Sequence, residues 1–265
     1  MTTAESNSVR VEIEDGLATI ALSRAGASNA LDVSAKSGLL SAVHEVARAS
    51  YVRAVLLKAD GKNFCVGQDL GEHVDALRAD PKSAMNTVGE HYNPLLQAIA
   101  DLEVPVVVAI RGACVGAGLG LALAGDIRVA GEGAKFATAF TGIGLASDSG
   151  LSHTLVHAVG VSRAAGLMLL GDRFSAADAA AWGLVHRVVP DDEVDNDAHD
   201  LAARLAQGPT AAYQQVKTLL KAGAPGLGDA LERERHAQET LGASADHSAA
   251  VEAFLAKSRP VFTGR

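Results

Sequence analysis

Cysteine is nearly absent from this chain, and the two that occur, Cys65 and Cys114, lie far apart. A single separated pair forms neither a disulfide framework nor the paired spacing of a zinc site. Aromatic residues make up only 4% of the sequence, so no aromatic cluster marks the chemistry of a ligand. Hydrophobic residues nevertheless fill 48% of the 265 positions, which is enough for a sizeable core. We therefore expect a globular protein of a reducing compartment, with no metal.

Positive charge and long apolar runs are also in short supply. Lys and Arg number 23 against 31 Asp and Glu, which gives a net charge of −8. This balance disfavours nucleic acid or an anionic membrane surface as the main partner, although a few local cations could still hold a phosphorylated ligand. The longest apolar runs are broken by Gly or Arg, and the opening "MTTAESNS" lacks the apolar region of a signal peptide. A cytoplasmic protein without membrane association is the expectation.

Strand and helix patterns alternate through the first two thirds of the chain. "VRVEI" and "LATIAL" flank Asp15-Gly16, which predicts a hairpin, and "VRAVLLKA" and "VPVVVAI" are typical of buried strands. A helical pattern from 81 to 102 is interrupted at Asn93-Pro94. Later helical patterns cover 149–159, 161–170 and 175–182, and four more follow Val189. The sequence thus predicts an α/β core over residues 1–190 and a helical region over 191–265.

The stretch "CVGAGLGLALAGD", Cys114 to Asp126, places glycines between a strand and a helix. The spacing does not match the G-x-G-x-x-G dinucleotide fingerprint, and no Gly-Lys-Ser/Thr follows to form a phosphate-binding P-loop. Two interpretations remain open. A helix beginning near Ala117 could aim its N–H groups at an anion, joined by the N–H of Gln68 in "FCVGQDL". The glycines could equally serve only for tight packing of helix against sheet.

Five blocks in order bear on that choice: "FCVGQDL", "VPVVVAIRGACVGAGLGLALAGDIRVA", "AKFATAFTGIGLASDSG", "LLGDRFSAADAAAWGLVHRVV" and "AVEAFLAKSRPVFTG". From about residue 9 to the end, the chain resembles the enoyl-CoA hydratase/isomerase family, also called the crotonase superfamily. Its "AGAG" loop, "NPL" helix and "DSG" block are most similar to the 1,2-epoxyphenylacetyl-CoA isomerase type. The resemblance implies a crotonase-like spiral core of repeated ββα units. It also implies a C-terminal helical region that assembles a homotrimer, or a hexamer made of two trimers.

The resemblance further implies an acyl-CoA thioester as substrate, with coenzyme A as part of it and no separate cofactor. It assigns the oxyanion-hole donors to the backbone N–H groups of Gln68 and Ala117. Residues implied in substrate binding are Arg24, Ala30, Gly67, Asp69, Leu70, Gly116, Phe140 and Leu151. Among them, Arg24 is a candidate phosphate contact, and Leu151 would narrow the acyl pocket.

The carboxylates distinguish the reactions within this family. Members that hydrate carry two glutamates, which align here with Gly120 and Phe140, and neither residue can transfer a proton. Asp148 remains in the same block, at a position where isomerases of the family carry an aspartate. A single base can shift a proton along an allylic system if the enolate is stabilised. The competing interpretation is that Asp148 only caps the following helix.

Four functions therefore stay open. We favour an isomerase that uses Asp148 as base, either for a double-bond shift or for an epoxide rearrangement. An enoyl-CoA hydratase with unusual acid and base groups is the second. The third is a non-catalytic acyl-CoA-binding protein, suggested by the loss of both glutamates. The fourth is a hydrolase, which the serines beside Asp148 suggest but which lacks a G-x-S-x-G motif.

Overall fold

The computed structural model describes residues 8–223 and 226–264. The opening segment on which the signal-peptide argument depends therefore lies almost entirely outside the described residues. The strands are β1 Val9–Glu14, β2 Leu17–Leu22, β3 Ala54–Ala59, β4 Val106–Ile110, β5 Ala113–Val115, β6 Ile127–Gly131, β7 Lys135–Ala137, β8 Phe174–Ser175 and β9 Arg187–Val189. The helices are α1 Val33–Arg48, α2 Leu70–Ala79, α3 Asn93–Asp101, α4 Ala117–Ala124, α5 Leu151–Leu170, α6 Ala176–Ala181, α7 Val194–Ala206, α8 Thr210–Ala222, α9 Leu227–Gly242 and α10 Ala245–Leu255.

Two sheets organise the α/β part. The larger has the strand order β1-β2-β3-β4-β6-β9, with the β1–β2 hairpin antiparallel and the other pairs parallel. The smaller has the order β5-β7-β8. Along the chain, β4, β5 and α4 form one ββα unit, and β6, β7 and α5 form the next. This repetition confirms the expected crotonase-like ββα spiral with C-terminal helices.

The large sheet is buried on both faces. On one face α1, α3 and α4 pack over alternate strand residues, which include Ile20, Leu57 and Val108. On the other face α7 covers Leu56, Val107 and their neighbours. The buried residues of α7 recur at helical spacing: Val194, Ala198, Leu201, Ala202 and Ala206. Continuous apolar strands such as "VVVAI" are explained by this burial from both sides.

Helix α5 is broken in the middle, as the sequence predicted. Gly160 has φ 76° and ψ 161°, values that no residue inside an α-helix adopts. By length and composition α5 is apolar enough to cross a membrane. A spanning helix needs about 20 residues with unbroken backbone hydrogen bonding. Here the halves on either side of Gly160 instead pack Leu155 and Ala164 into the core.

The region before β4 differs from the sequence prediction in two respects. The sequence did not reveal helix α2, which begins directly after the Gly-rich loop because Asp69 caps it by accepting from the Gly71 and Glu72 N–H groups. The expected interruption at Asn93-Pro94 is wrong, because a π-helical turn over Val88–Tyr92 leads straight into α3. Pro94 is the second residue of α3 and directly follows this turn, and proline has no N–H to donate to a carbonyl of the preceding turn.

Candidate active site

Two loops that each follow a strand run side by side at the carboxyl end of the large sheet. Cys65 and Cys114 face each other across a parallel bridge. The Cys65 N–H donates to the Ala113 carbonyl at 3.1 Å, and the Val115 N–H donates to the Cys65 carbonyl at 3.0 Å. Three residues further along each segment stand Gln68 and Ala117. The shared register therefore brings the two predicted donors to neighbouring positions.

Neither of these backbone N–H groups takes part in the hydrogen bonding of a helix or a strand. Asp69 N–H donates to the Leu31 carbonyl at 3.1 Å, and an extended peptide directs successive N–H groups to opposite sides. Gln68 N–H consequently points away from Leu31. Ala117 is the first residue of α4, where N–H groups have no helical acceptor and the helix dipole is positive. Within residues 8–223 and 226–264, neither N–H donates a hydrogen bond to protein.

Glycine is required at the close approach of the two loops. Gly67 has φ +88° and Gly116 has φ +57°, a region that side chains disfavour. A Cβ at Gly67 would lie 3.1 Å from the Val115 carbonyl oxygen and 3.3 Å from the Ala117 nitrogen. A side chain there would occupy the space in front of the Ala117 N–H. From the sequence, the glycines could serve either close packing or anion binding. The close approach of the two loops is compatible with both roles.

Asp148 does not cap the helix that follows it. The N-cap of α5 is Gly150, and no side chain caps that helix. The Asp148 carboxylate instead accepts a hydrogen bond from Ser149 Oγ at 2.7 Å. Burial raises the pKa of Asp148, and the Ser149 bond offsets only part of that effect. Asp148 is thus a half-buried carboxyl group that is more basic than an exposed aspartate.

The two positions aligned with family glutamates are filled by packing. A Cβ on Gly120 would lie 2.4 Å from Ser149 Cβ and 2.6 Å from the Ser149 carbonyl oxygen. Phe140 is buried, and its ring would lie 3.9 Å from a Cβ on Gly116. Ser149, the residue after Asp148, therefore packs directly against α4 at Gly120.

Several predicted substrate-binding residues form one cluster held by Arg24. Its guanidinium donates to the Ala30 carbonyl and pairs with Asp32 at 3.0 Å and Asp69 at 3.1 Å. The Asp69 pKa is lowered, first by the Glu72 N–H bond, although burial opposes this shift. Arg24 is thus committed to internal partners, and its contact with a phosphate stays a prediction.

The remaining predicted residues lie in different surroundings. Leu70, the first residue of α2, is 67% exposed. Leu151 is fully buried in the main core at the start of α5. Its role in narrowing an acyl pocket stays a prediction.

Sequence reasoning missed a buried polar cluster behind Gln68. Lys36 Nζ donates to Glu72 Oε1 at 2.9 Å and to Gln68 Oε1 at 3.2 Å, and Tyr92 also donates to Gln68. Lys36 lies one α1 turn before Leu39 and two turns before Val43, both core residues. A lysine in line with an apolar helical stripe is the signal that could have found it.

Nucleophilic chemistry finds no suitable group here. Burial raises the pKa of the Cys65 thiol to about 12, so it stays protonated at neutral pH. Ser149 is only 4% exposed and its hydroxyl is bonded to Asp148. His153 is exposed and stacks on His157, with ring centroids 4.1 Å apart. The described part of the chain thus contains no Ser–His pair at the site, which argues against the hydrolase alternative.

Comparison with known proteins identifies one family. Residues 12–265 match the family model "Enoyl-CoA hydratase/isomerase". A Rhodobacter capsulatus protein named as an enoyl-CoA hydratase is 41% identical over 98% of this chain and 99% of its own. The 1,2-epoxyphenylacetyl-CoA isomerase of Escherichia coli is 38% identical over 96% and 97%. A solved Mycobacterium abscessus structure, named as an enoyl-CoA hydratase/isomerase, is 60% identical with a TM-score of 0.95 and covers 97% of this chain and 100% of its own. The chain belongs to the enoyl-CoA hydratase/isomerase family.

Proposed function

We propose that this protein is an acyl-CoA isomerase that uses Asp148 as its single base. The substrate is a thioester of coenzyme A, and no further cofactor takes part. The observation that carries the proposal is the contrast between Asp148 and the two glutamate positions. Asp148 is a half-buried carboxyl group with a raised pKa, whereas Gly120 and Phe140 bear no acid.

The chemistry follows from one base and two N–H donors. Asp148 removes a proton from the carbon next to, or conjugated with, the thioester carbonyl, and the electron pair moves onto the carbonyl oxygen. The N–H groups of Gln68 and Ala117 bind that oxygen as its negative charge grows. The Asp148 carboxylic acid exchanges its proton with solvent and then delivers a proton to the other end of the allylic system. An epoxide substrate would rearrange through the same stabilised enolate.

Deuterium incorporation tests this proposal directly. The protein is incubated in D₂O with each of three substrates in turn: a 3-enoyl-CoA, a 2-enoyl-CoA and an aryl epoxide thioester. At least one of them should give an isomerised product that carries solvent deuterium. Asp148→Asn should abolish both product and exchange. Asp172→Asn, at an exposed aspartate, is the matched control and should retain both. Isomerisation that survives in Asp148→Asn would overturn the assignment of the base.

A hydratase is the second candidate, because the Rhodobacter capsulatus relative carries that name. In that case 2-enoyl-CoA would yield 3-hydroxyacyl-CoA faster than any isomer. The same incubation, read by mass, separates the two reactions because hydration adds one water. Binding of acyl-CoA without turnover of any substrate would favour the non-catalytic alternative.

We further propose that the C-terminal helices join copies of the chain into a trimer or a hexamer. Large apolar side chains are exposed there without partners in the described chain: Leu220, Leu227, Leu231, Phe254, Leu255 and Val261. An exposed apolar surface of this kind is typical of an interface between subunits. Light scattering coupled to gel filtration should give three or six times the chain mass. Phe254→Asp should lower that mass, and a monomeric wild-type protein would contradict the proposal.

A further inference from the structure

Lys36 is a fully buried cation next to the proposed oxyanion hole. Its side chain has 0% exposure. The ammonium group donates to Glu72 Oε1 at 2.9 Å, Thr87 Oγ1 at 2.7 Å and Gln68 Oε1 at 3.2 Å, and it lies 5.2 Å from the centre of the Tyr92 ring. A lysine has three protons to donate, so this arrangement satisfies all of them.

The Gln68 carboxamide is held at three points by the same cluster. Its oxygen accepts from the Tyr92 hydroxyl at 2.6 Å and from Lys36, and its amide nitrogen donates to Glu72 Oε1 at 2.9 Å. Glu72 is fixed in turn, because its second oxygen accepts from the Val33 N–H at 2.6 Å. The groups that hold this carboxamide come from α1, from α2 and from the turn before α3.

The charge states suit these bonds. Burial opposes the ionisation of Glu72, but the bonds from Lys36, the Val33 N–H and Gln68 outweigh it and lower its pKa. Burial raises the pKa of Tyr92, and the nearby carboxylates of Asp148 and Glu72 add to this shift, so its hydroxyl keeps its proton. Tyr92 therefore remains a donor to Gln68.

We propose that Lys36 and Tyr92 are positioning residues that hold Gln68 so that its backbone N–H stays directed at the thioester oxygen. This inference rests on the proposed function. A glutamine whose side chain is held by Lys36, Tyr92 and Glu72 has little freedom to rotate its peptide. Oxyanion stabilisation depends on donors that need no reorganisation during the reaction.

A second buried lysine supplies the matched control. Lys217 is 8% exposed and donates to Asp126 Oδ2 at 2.6 Å and to the Val104 carbonyl at 2.9 Å. Asp126 also accepts from the N–H of Val106, at the amino end of β4. The oxyanion-hole loops lie at the opposite, carboxyl end of the large sheet, after β3 and after β4 and β5. Lys217→Met therefore breaks a comparable buried ion pair without touching Gln68.

The test measures the infrared absorption of the thioester carbonyl rather than turnover. The probe is butanoyl-CoA labelled with ¹³C at the carbonyl, a saturated thioester with no double bond to move. In wild-type protein the infrared carbonyl band should shift to lower frequency relative to free probe. Lys36→Met and Tyr92→Phe should each lose at least about half of that shift. Lys217→Met should retain it.

Kinetics supply the second readout. With the substrate that the wild-type protein isomerises, Lys36→Met and Tyr92→Phe should each lower kcat by about 10-fold. This decrease is smaller than the ~10²–10³-fold decrease in kcat that follows removal of a whole oxyanion donor. Binding of coenzyme A without an acyl group should not change, because it has no thioester carbonyl. Gln68→Ala keeps the N–H but removes the side chain, so adding Lys36→Met to it should cause no further loss. Tyr92→Phe keeps the inference testable if Lys36→Met does not fold.

The outcomes separate the two proposals. A full carbonyl shift in Lys36→Met and Tyr92→Phe would overturn the positioning inference while leaving the oxyanion hole intact. A normal shift in wild-type protein without turnover of any substrate would overturn the proposed isomerase alone. Absence of probe binding, or of any shift, in the wild type would overturn both.

Discussion

Gly120 and Ser149 pack so closely that no side chain fits between them. A Cβ on Gly120 would lie 2.4 Å from Ser149 Cβ, well inside van der Waals contact. Ser149 itself has φ +52° and donates to Asp148. The missing side chain on α4 thus makes room for the strained residue that holds the proposed base. The glycine at position 120 and the position of Asp148 are thus connected by one steric contact.

Gly120→Ala should accordingly disturb both stability and catalysis. The added methyl group must displace the Ser149 backbone, and such overpacking costs about 1–3 kcal/mol. We expect a lower midpoint in denaturant unfolding and a lower kcat, since Asp148 moves with Ser149. Gly242→Ala, at the last residue of α9 where a Cβ meets nothing within 4 Å, is the control and should lower neither, because alanine favours a helix more than glycine does. Unchanged activity in Gly120→Ala would mean that Ser149 does not set the position of Asp148.

The pH dependence of kcat/KM should report the ionisation of Asp148. A base must be deprotonated, so activity should fall as pH falls through the Asp148 pKa, which burial raises above the ordinary aspartate value. Ser149→Ala removes the bond that lowers this pKa, and the acid limb should move to higher pH. Stopped assays at constant ionic strength give the profile. An acid limb that moves to lower pH in Ser149→Ala would refute this assignment.

The raised pKa also carries a stability cost with a definite sign. An aspartate whose pKa is higher in the folded state binds more protons there, so its folded state loses stability as pH rises through the interval between the two pKa values. Asp148→Asn does not titrate. The variant should therefore gain stability relative to wild type as the pH rises from the pKa of an ordinary aspartate towards neutrality. Urea unfolding of both proteins across that range measures the difference, and a variant that loses stability relative to wild type as pH rises would contradict the raised pKa.

Both thiols should be inert in the folded protein. Cys65 and Cys114 each have 0% exposure, and burial raises the pKa of both. A colorimetric thiol reagent at neutral pH should find no reactive group in native protein and two after unfolding in guanidinium. Ala113→Cys, placed on the partly exposed neighbour of Cys114, should add one reactive thiol in the native state. Rapid labelling of the native wild type would show that the strands carrying the two loops open readily.

The elements predicted from the sequence are those with a strong local signal. The β1–β2 hairpin follows from Asp15-Gly16, and the strand–helix order follows from apolar runs bounded by glycine. The break at Gly160 was also predictable, because glycine tolerates the positive φ it adopts there. Helix α2 has only a short apolar stripe, Leu70, Val74 and Leu77, and none of these side chains is buried in the structure. The π-helical turn before Pro94 was invisible to a periodicity of 3.6 residues.

The candidate site likewise contains features that the sequence predicted and features that it did not. The resemblance to the family identified Gln68, Ala117 and Asp148 as candidates, because each lies in a short segment with a distinctive residue pattern. Whether Asp148 capped a helix or faced α4 depended on the packing of Ser149 against Gly120, which are 29 positions apart in the chain. The bonds from Lys36 and Tyr92 to Gln68 bridge even more separate elements. No local pattern encodes such contacts.

The sequence by itself determined the family and the ββα order, because these depend on residue identity and short-range spacing. The tertiary structure alone decided which N–H groups stay without partners, which way the Asp148 carboxylate is held and how deeply it is buried. Those properties arise where distant segments exclude water together, and the pKa of a carboxyl group depends on that exclusion rather than on its neighbours in the chain.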